Sequence, residues 1–225
     1  MRREPTPKEI CDLIQDLSFK NAFNPYVDRC GTCDSARSPE HRMQLLKRIL
    51  KAASSVEVDA IWLGRDLGYR GGRRTGLALT DDAHFDAHLA RWGLNAHRPT
   101  TGVPVKERTA SVVWEMIDHV SEHLFLWNVF PLHPYKPSNE FSNRAHSRIE
   151  REAGEMILTY IARFIRPRRI VAIGNDAARC ASRLFKDSEV HHVRHPSYGG
   201  QREFCEQIRE LYTLEQAVHG TGNLL

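Results

Sequence analysis

Four short apolar runs rich in β-branched residues punctuate the chain: Val56–Leu63, Leu124–Val129, Ile170–Ile173 and Val190–Val193. Each of the last three follows a segment whose apolar residues recur at helical spacing. Val112, Val113, Met116, Ile117 and Val120 share one face before the second run. Ile149, Ala153, Met156, Ile157, Tyr160, Ile161 and Phe164 do so before the third, where Pro167 stops the helix. Ala177, Ala178, Ala181, Leu184 and Phe185 precede the fourth, with Asn175 or Asp176 as the expected cap. A last amphipathic stretch carries Phe204, Ile208, Leu211 and Leu214. Parallel strands need crossovers that pack on the sheet, so helices alternating with strands imply a parallel sheet covered on both faces. The expected fold class is α/β: a three-layer α/β/α sandwich around a four-stranded, mainly parallel sheet.

The first 50 residues add helices over Lys8–Leu17 and His41–Ala53, separated by a turn-rich Asn24–Pro39. The expected organisation is a helical extension over 1–54 packed on an α/β/α domain over 55–217, then a frayed tail over 218–225, a single domain overall. With 41% hydrophobic and 27% charged residues the chain is globular rather than disordered or low-complexity. No apolar run reaches the roughly 18–20 residues of a membrane helix, and Met1–Pro5 lacks a secretory apolar core. Five cysteines, an odd number, fit reduced thiols, so the expected location is cytoplasmic. Thirty-two basic against 28 acidic residues leave only +4, too mild by itself to establish a nucleic-acid partner. The arginines are clustered, however: Arg70, Arg73 and Arg74 in a glycine-rich loop, and Arg166, Arg168 and Arg169 around Pro167.

Polar residues fall at informative places. Behind the first strand comes Gly64-Arg65-Asp66-Leu67-Gly68-Tyr69-Arg70-Gly71-Gly72-Arg73-Arg74-Thr75-Gly76. The second ends in Asn128-Val129-Phe130-Pro131-Leu132, and the fourth leads into His195-Pro196-Ser197-Tyr198-Gly199-Gly200. Ligands of open parallel sheets bind at the carboxyl ends of the strands, so Asp66, Asn128 and His195 are expected in one cleft.

These segments resemble the uracil-DNA glycosylase superfamily. Gly64-x-Asp66 is similar to the G-Q-D-P-Y-H segment of its best-known branch, and Gly71–Gly76 to the glycine-rich loops of its thermophilic branches. Asn128–Leu132 is similar to the N-x-F-P-L of the single-strand-selective branch, and His195-Pro196-Ser197 to the H-P-S found across the superfamily. The resemblance implies excision of uracil from single- or double-stranded DNA, with free uracil as product, by a monomeric, cofactor-free hydrolase that starts base excision repair. It assigns Asp66 to the sugar cation and the attacking water, His195 to the uracil O2, and Asn128 to O4 and N3–H. The amides near Leu67 and Gly68 would add donors to O2. Arg65, Arg70, Arg73, Arg74, Ser197, Tyr198, Gly199, Gln201 and Arg202 would meet DNA. No lysine lies in the three motifs, which implies a monofunctional enzyme without lyase chemistry.

Three positions depart from the family. Gly68 replaces the tyrosine that blocks the 5-methyl of thymine, with Tyr69 next door as a substitute. Leu79 replaces the phenylalanine beneath the base. Gly199 replaces the apolar wedge, leaving Tyr198, Gln201 or Arg202 to intercalate. Arg65, at the family's glutamine position, reads as a phosphate contact or ion-pair partner. Bland alternatives stand beside each motif: Asp66 as a loop cap, Asn128 as a satisfied strand-end amide, His195 as a turn residue, Trp62 and Trp127 as core. Cys30-Gly31-Thr32-Cys33 invites an iron–sulfur reading, but Cys11, Cys180 and Cys205 offer no second pair, so loop or core cysteines are expected. His191, His192, His195 and His133 make a poor zinc set, because 191 and 192 face opposite sides of a strand. No metal is expected. Two rival functions remain: a binder of damaged or abasic DNA without turnover, and a generic phosphate-binding α/β protein using Gly64–Gly76.

Overall fold

Capping chemistry and apolar spacing divide the chain into fourteen elements in the computed structural model, which describes residues 3–215. In chain order they are α1 (Pro7–Gln15), β1 (Ala22–Phe23), α2 (Ser38–Ala53), β2 (Ala60–Asp66), α3 (Gly72–Thr75), α4 (Phe85–Ala90) and α5 (Arg108–Ile117). Then follow β3 (Leu124–Phe130), β4 (His133–Pro134), α6 (Arg148–Ile165), β5 (Arg169–Ile173), α7 (Asn175–Leu184), β6 (Glu189–Val193) and α8 (Gln201–Leu211). The expected tail after Ala217 lies outside the described residues.

The four apolar runs form one parallel sheet in the order β3-β2-β5-β6. The doubly apolar strands β2, β3 and β5 are covered on both faces, as parallel pairing demands. Ile61, Leu63, Phe125, Trp127 and Ile170 pack toward α1, α2, α6 and α7. Trp62, Leu126, Val171 and Val193 pack toward α5 and α8. The architecture is therefore the expected α/β/α sandwich. Trp62 and Trp127 are core residues, and the indole of Trp62 donates to the Tyr212 hydroxyl at 2.9 Å.

Three local expectations are corrected. The first strand begins at Ala60 rather than Val56, because Val56 and Glu57 are exposed, and it runs on to Asp66. The N-cap of α7 is Gly174, at φ +85°, rather than Asn175 or Asp176, which are its first two residues. The buried face of α6 is Gly154, Ile157, Leu158, Ile161 and Ile165, whereas Ile149 and Met156 are exposed. A glycine causes that rotation. A Cβ on Gly154 would run into the Val129 carbonyl oxygen and stand 3.0 Å from the Phe130 Cα, so α6 lies directly against the backbone of β3. Gly154→Ala is therefore expected to destabilise the protein by about 1–3 kcal/mol through overpacking, although alanine is the better helix former. A lowered denaturant midpoint at unchanged slope checks this, and a raised midpoint contradicts it.

β1 and β4 pair antiparallel as a separate two-stranded sheet, with Phe23 opposite His133. Phe23, Cys30 and Cys33 form a small separate core.

Candidate active site

Parallel strands open all their carboxyl ends on one edge, and the alternation of side chains decides which face each residue joins. Asn128 stands two residues past Leu126, Asp66 four past Trp62, and His195 two past Val193. Leu126 and Trp62 both face α5 and α8, so the amide and the carboxylate fall on that side; His195, beyond the end of β6, joins the cleft from its turn. Gly64 pairs with Asn128 across β2 and β3. β6 lies two strands from β2, about 10 Å at the usual spacing. Between them opens a cleft of about 530 Å³, lined among others by Gly64, Asp66, Leu67, Gly68, Leu79, Glu107, His195, Ser197 and Tyr198.

Asp66 ends β2 with its carboxylate almost fully covered and both oxygens engaged. Oδ2 accepts from the Arg65 Nε at 2.7 Å, and Oδ1 meets the His146 Nδ1. Arg65 also reaches Asp176, in the first turn of α7, at 3.2 Å. Positive charge thus pins the carboxylate from behind while it faces the cleft.

His195 is set by its own turn. The Ser197 amide donates to its Nδ1 at 3.1 Å, so the neutral ring carries its proton on Nε2. Burial lowers its pKa, and the charges of Arg65 and Arg194 lower it further, which keeps the ring neutral at pH 7. Gly174 makes room for it: besides its positive φ, a Cβ there would stand 3.1 Å from the His195 Cβ.

Asn128, expected in the same cleft, does not line it: it is 1% exposed, buried behind Gly64 and Leu79, and its Oδ1 has no hydrogen-bond partner among the described residues. A buried acceptor left unpaired costs about 1–3 kcal/mol. The satisfied strand-end amide of the bland alternative is therefore not what is found. Asn128 and Leu79 meet over Gly64, where a Cβ would stand 2.5 Å from Oδ1 and 3.0 Å from the Leu79 Cδ2.

Other expected residues divide. Leu67 and Gly68 line the cleft, but the Leu67 amide donates to the Leu132 carbonyl at 3.2 Å and is not free for a ligand, while no hydrogen bond among the described residues uses the Gly68 amide. Tyr69 does not line the cleft; its amide donates to the Asn143 Oδ1 at 3.1 Å, and Arg70 covers its ring at 5.5 Å. Arg73 is not a surface cation. It is buried, 3.8 Å over the Phe23 ring, and donates to Glu140 at 2.8 Å and to the Cys30 sulfur at 3.6 Å. Arg74 is likewise consumed by Asp82, at 2.7 Å. Both arginines build the glycine-rich loop instead of meeting a phosphate. Arg70 stays exposed, as does Arg202, which lies 3.7 Å from Glu206. Gln201 starts α8 outside the lining. The Ser197 hydroxyl shares a hydrogen bond with Thr109 at 3.2 Å. Tyr198 and Gly199 form the lip, both left-handed at φ +53° and +79°, with the Tyr198 side chain wholly in solvent.

Sequence reasoning passed over His146, Glu107, Asn143, Arg144 and Arg194. None lies in a motif behind a strand, except Arg194, which was overshadowed by its neighbour. His146 arrives on the loop before α6, and the only local signal was the capping box Ser147-x-x-Glu150 that ends this loop. Cys30 and Cys33 belong to the small core with Phe23, and His133 is buried against Arg73. Among the described residues no three His, Cys, Asp or Glu side chains gather as a metal-holding group. No described helix is long and apolar enough to cross a membrane.

Comparison with known proteins agrees with this fold. The model of a family described as the uracil DNA glycosylase superfamily matches residues 44–213. Wild-type SMUG2 from Pedobacter heparinus superposes with a TM-score of 0.59 at 14% identity, over 92% of this chain and 95% of that one. At that identity the likeness is one of fold. No curated protein matches the sequence.

Proposed function

The chain belongs to the uracil DNA glycosylase superfamily, whose members are DNA glycosylases, and from that premise we propose that it hydrolyses the N-glycosidic bond of uracil in DNA. The observation that carries this reading is the buried Oδ1 of Asn128, unpaired among the described residues, which lies behind Gly64 and Leu79 at the wall of the cleft that holds Asp66 and His195. An N–H donor is what that oxygen lacks, and the N3–H of uracil supplies one.

The enzyme extrudes the nucleotide into the cleft, since the bond is out of reach inside a stacked duplex. With Leu79 displaced from over Gly64, Asn128 accepts from N3–H and donates to O4. Cytosine offers the reverse pattern and leaves two groups unpaired, at roughly 1–3 kcal/mol each. As the bond to C1′ breaks, positive charge grows on the sugar and negative charge on O2. Asp66 faces the first and holds the attacking water. The Nε2–H of neutral His195 faces the second, where a fixed donor in a dry site is worth most. Water attacks C1′, its proton passes to Asp66, and uracil leaves as an anion stabilised at O2. Among the described residues no lysine lines the cleft, which supports hydrolysis without a Schiff base and an abasic strand left intact. Arg70, Arg194 and Arg202 are cations for phosphates once Arg73 and Arg74, and Arg65 with its two carboxylate partners, are set aside.

A single-stranded oligonucleotide with one uracil, incubated with the protein and then treated with alkali, tests this. Breakage at the uracil after alkali, and none before it, is the expected result. Retention of the strand without breakage contradicts hydrolysis and supports a binder.

Gly199 cannot fill the gap that an extruded nucleotide leaves, but Tyr198 beside it can. An aromatic ring held entirely in solvent, on a strained backbone at the rim, is placed to stack into the duplex. Base stacking on an aromatic ring is worth about 1–3 kcal/mol. Tyr198→Ala should therefore lower the ratio of duplex to single-strand excision roughly 5- to 100-fold. An unchanged ratio would remove Tyr198 from the role.

A further inference from the structure

Resting on the reading of the cleft as a uracil pocket, we propose that Glu107 is the residue that rejects a substituent at the 5-position of the bound pyrimidine. Gly68 leaves the pocket without the family's aromatic wall, and Tyr69 does not supply one. The side chain of Glu107 fills the space instead. A Cβ on Gly68 would stand 2.6 Å from its Oε1, and one on Gly71 would overlap its Oε2 more closely still. Two glycines that carry no side chain are thus matched by one carboxyl group reaching over from the residue that precedes α5.

The group is firmly anchored. The Glu107 amide donates to the Asp81 Oδ2 at 2.6 Å, and its carbonyl accepts from the Ser111 amide at 3.0 Å. Asp81 is itself buried and held by the amides of Ala83 and His84, each at 3.0 Å. The carboxyl oxygens, by contrast, take part in no hydrogen bond or ion pair among the described residues; Oε1 lies over Gly68, which lines the cleft as Glu107 does. Burial pushes the Glu107 pKa up to about 7, Asp81 adds to the rise and Arg70 opposes it, so both the neutral and the ionised carboxyl are populated near pH 7.

The position follows by elimination around the ring. Asp66 takes the sugar side, His195 the O2 and Asn128 the N3–O4 edge, which leaves C5 and C6. Glu107 occupies the wall that none of these three uses. Uracil presents a C5 hydrogen there. Thymine presents a methyl group, which must overlap the carboxyl or displace it from its place over Gly68 and Gly71. A pocket that gains or loses room for one methyl changes discrimination by roughly 10- to 200-fold.

Excision of uracil and of thymine from otherwise identical single strands, by wild type, Glu107→Ala and Glu107→Asp, tests the assignment. The expected result is a thymine-to-uracil rate ratio that rises at least roughly tenfold in Glu107→Ala, with Glu107→Asp in between. Glu107→Gln, which keeps the shape, should keep the low ratio. A wild type that excises uracil, with an unchanged ratio in both shortened variants, overturns the role of Glu107 and leaves the uracil reading intact. A wild type that excises neither base overturns that reading, and the present inference with it. The ratio is insensitive to a general loss of folded protein, and the aspartate variant serves should the alanine variant fail to fold.

Discussion

Replacing Asp66 by asparagine is expected to cut single-turnover excision of uracil by roughly 10²- to 10⁴-fold, the range spanned by a positioned general base. The amide keeps the shape of the carboxylate but has neither the charge to face a sugar cation nor the basicity to take a proton from water. The surroundings make the effect large. Asp66 is almost wholly covered and its field is little screened by solvent, so its charge acts on the reacting sugar more strongly than it would in water. Arg65 supplies the compensating positive charge, and His146 a hydrogen-bond partner, that let a carboxylate remain in such a place. His146 does not itself line the cleft, so it acts by positioning Asp66. His146→Ala should therefore slow excision less than Asp66→Asn does, while substrate binding holds. Equal rates in wild type and Asp66→Asn would remove the carboxylate from the chemistry.

The second large effect is at Asn128, where activity and stability are expected to part. Asn128→Ala deletes two hydrogen bonds to the base, each worth about 1–3 kcal/mol in a site that excludes water, so excision of uracil should fall roughly 30- to 10⁴-fold. Most core polar residues would also destabilise the fold when truncated. Here the wild type already bears an unpaired buried oxygen, and removing it relieves a desolvation cost of about 1–3 kcal/mol that offsets the small cavity left behind. The variant should melt within a few degrees of wild type. A substantial drop in melting temperature with activity retained would mean that Asn128 is a structural amide.

The contrast between Asn128 and Arg73 shows what the sequence made legible. Asn128, Asp66 and His195 were readable because each stands at or just past the carboxyl end of an apolar run, the edge where open parallel sheets bind their ligands. The alternation of helices and strands is a local pattern, and it carried the parallel sheet and its layers, while the strand order β3-β2-β5-β6 came only with the folded chain. Arg73 was misread because a glycine-rich loop with three arginines looks solvated. Its burial depends on Phe23, Cys30 and Glu140, which come from distant segments. Gly154 was missed for the same reason: the apolar pattern of its helix says nothing about a backbone contact with β3. Glu107 and His146 reach the site from loops without any periodic pattern. Each matters through a neighbour that only the folded chain supplies, Gly68 for one and Asp66 for the other.

The most direct measurement is a crystal structure of Asp66→Asn bound to a single strand carrying 2′-fluoro-2′-deoxyuridine, whose glycosidic bond resists cleavage. The uracil ring should lie in the cleft, with N3 and O4 about 3 Å from the Asn128 amide and O2 at the same reach from the His195 Nε2. A base left outside the cleft, with the Asn128 oxygen still unpaired, would contradict the account.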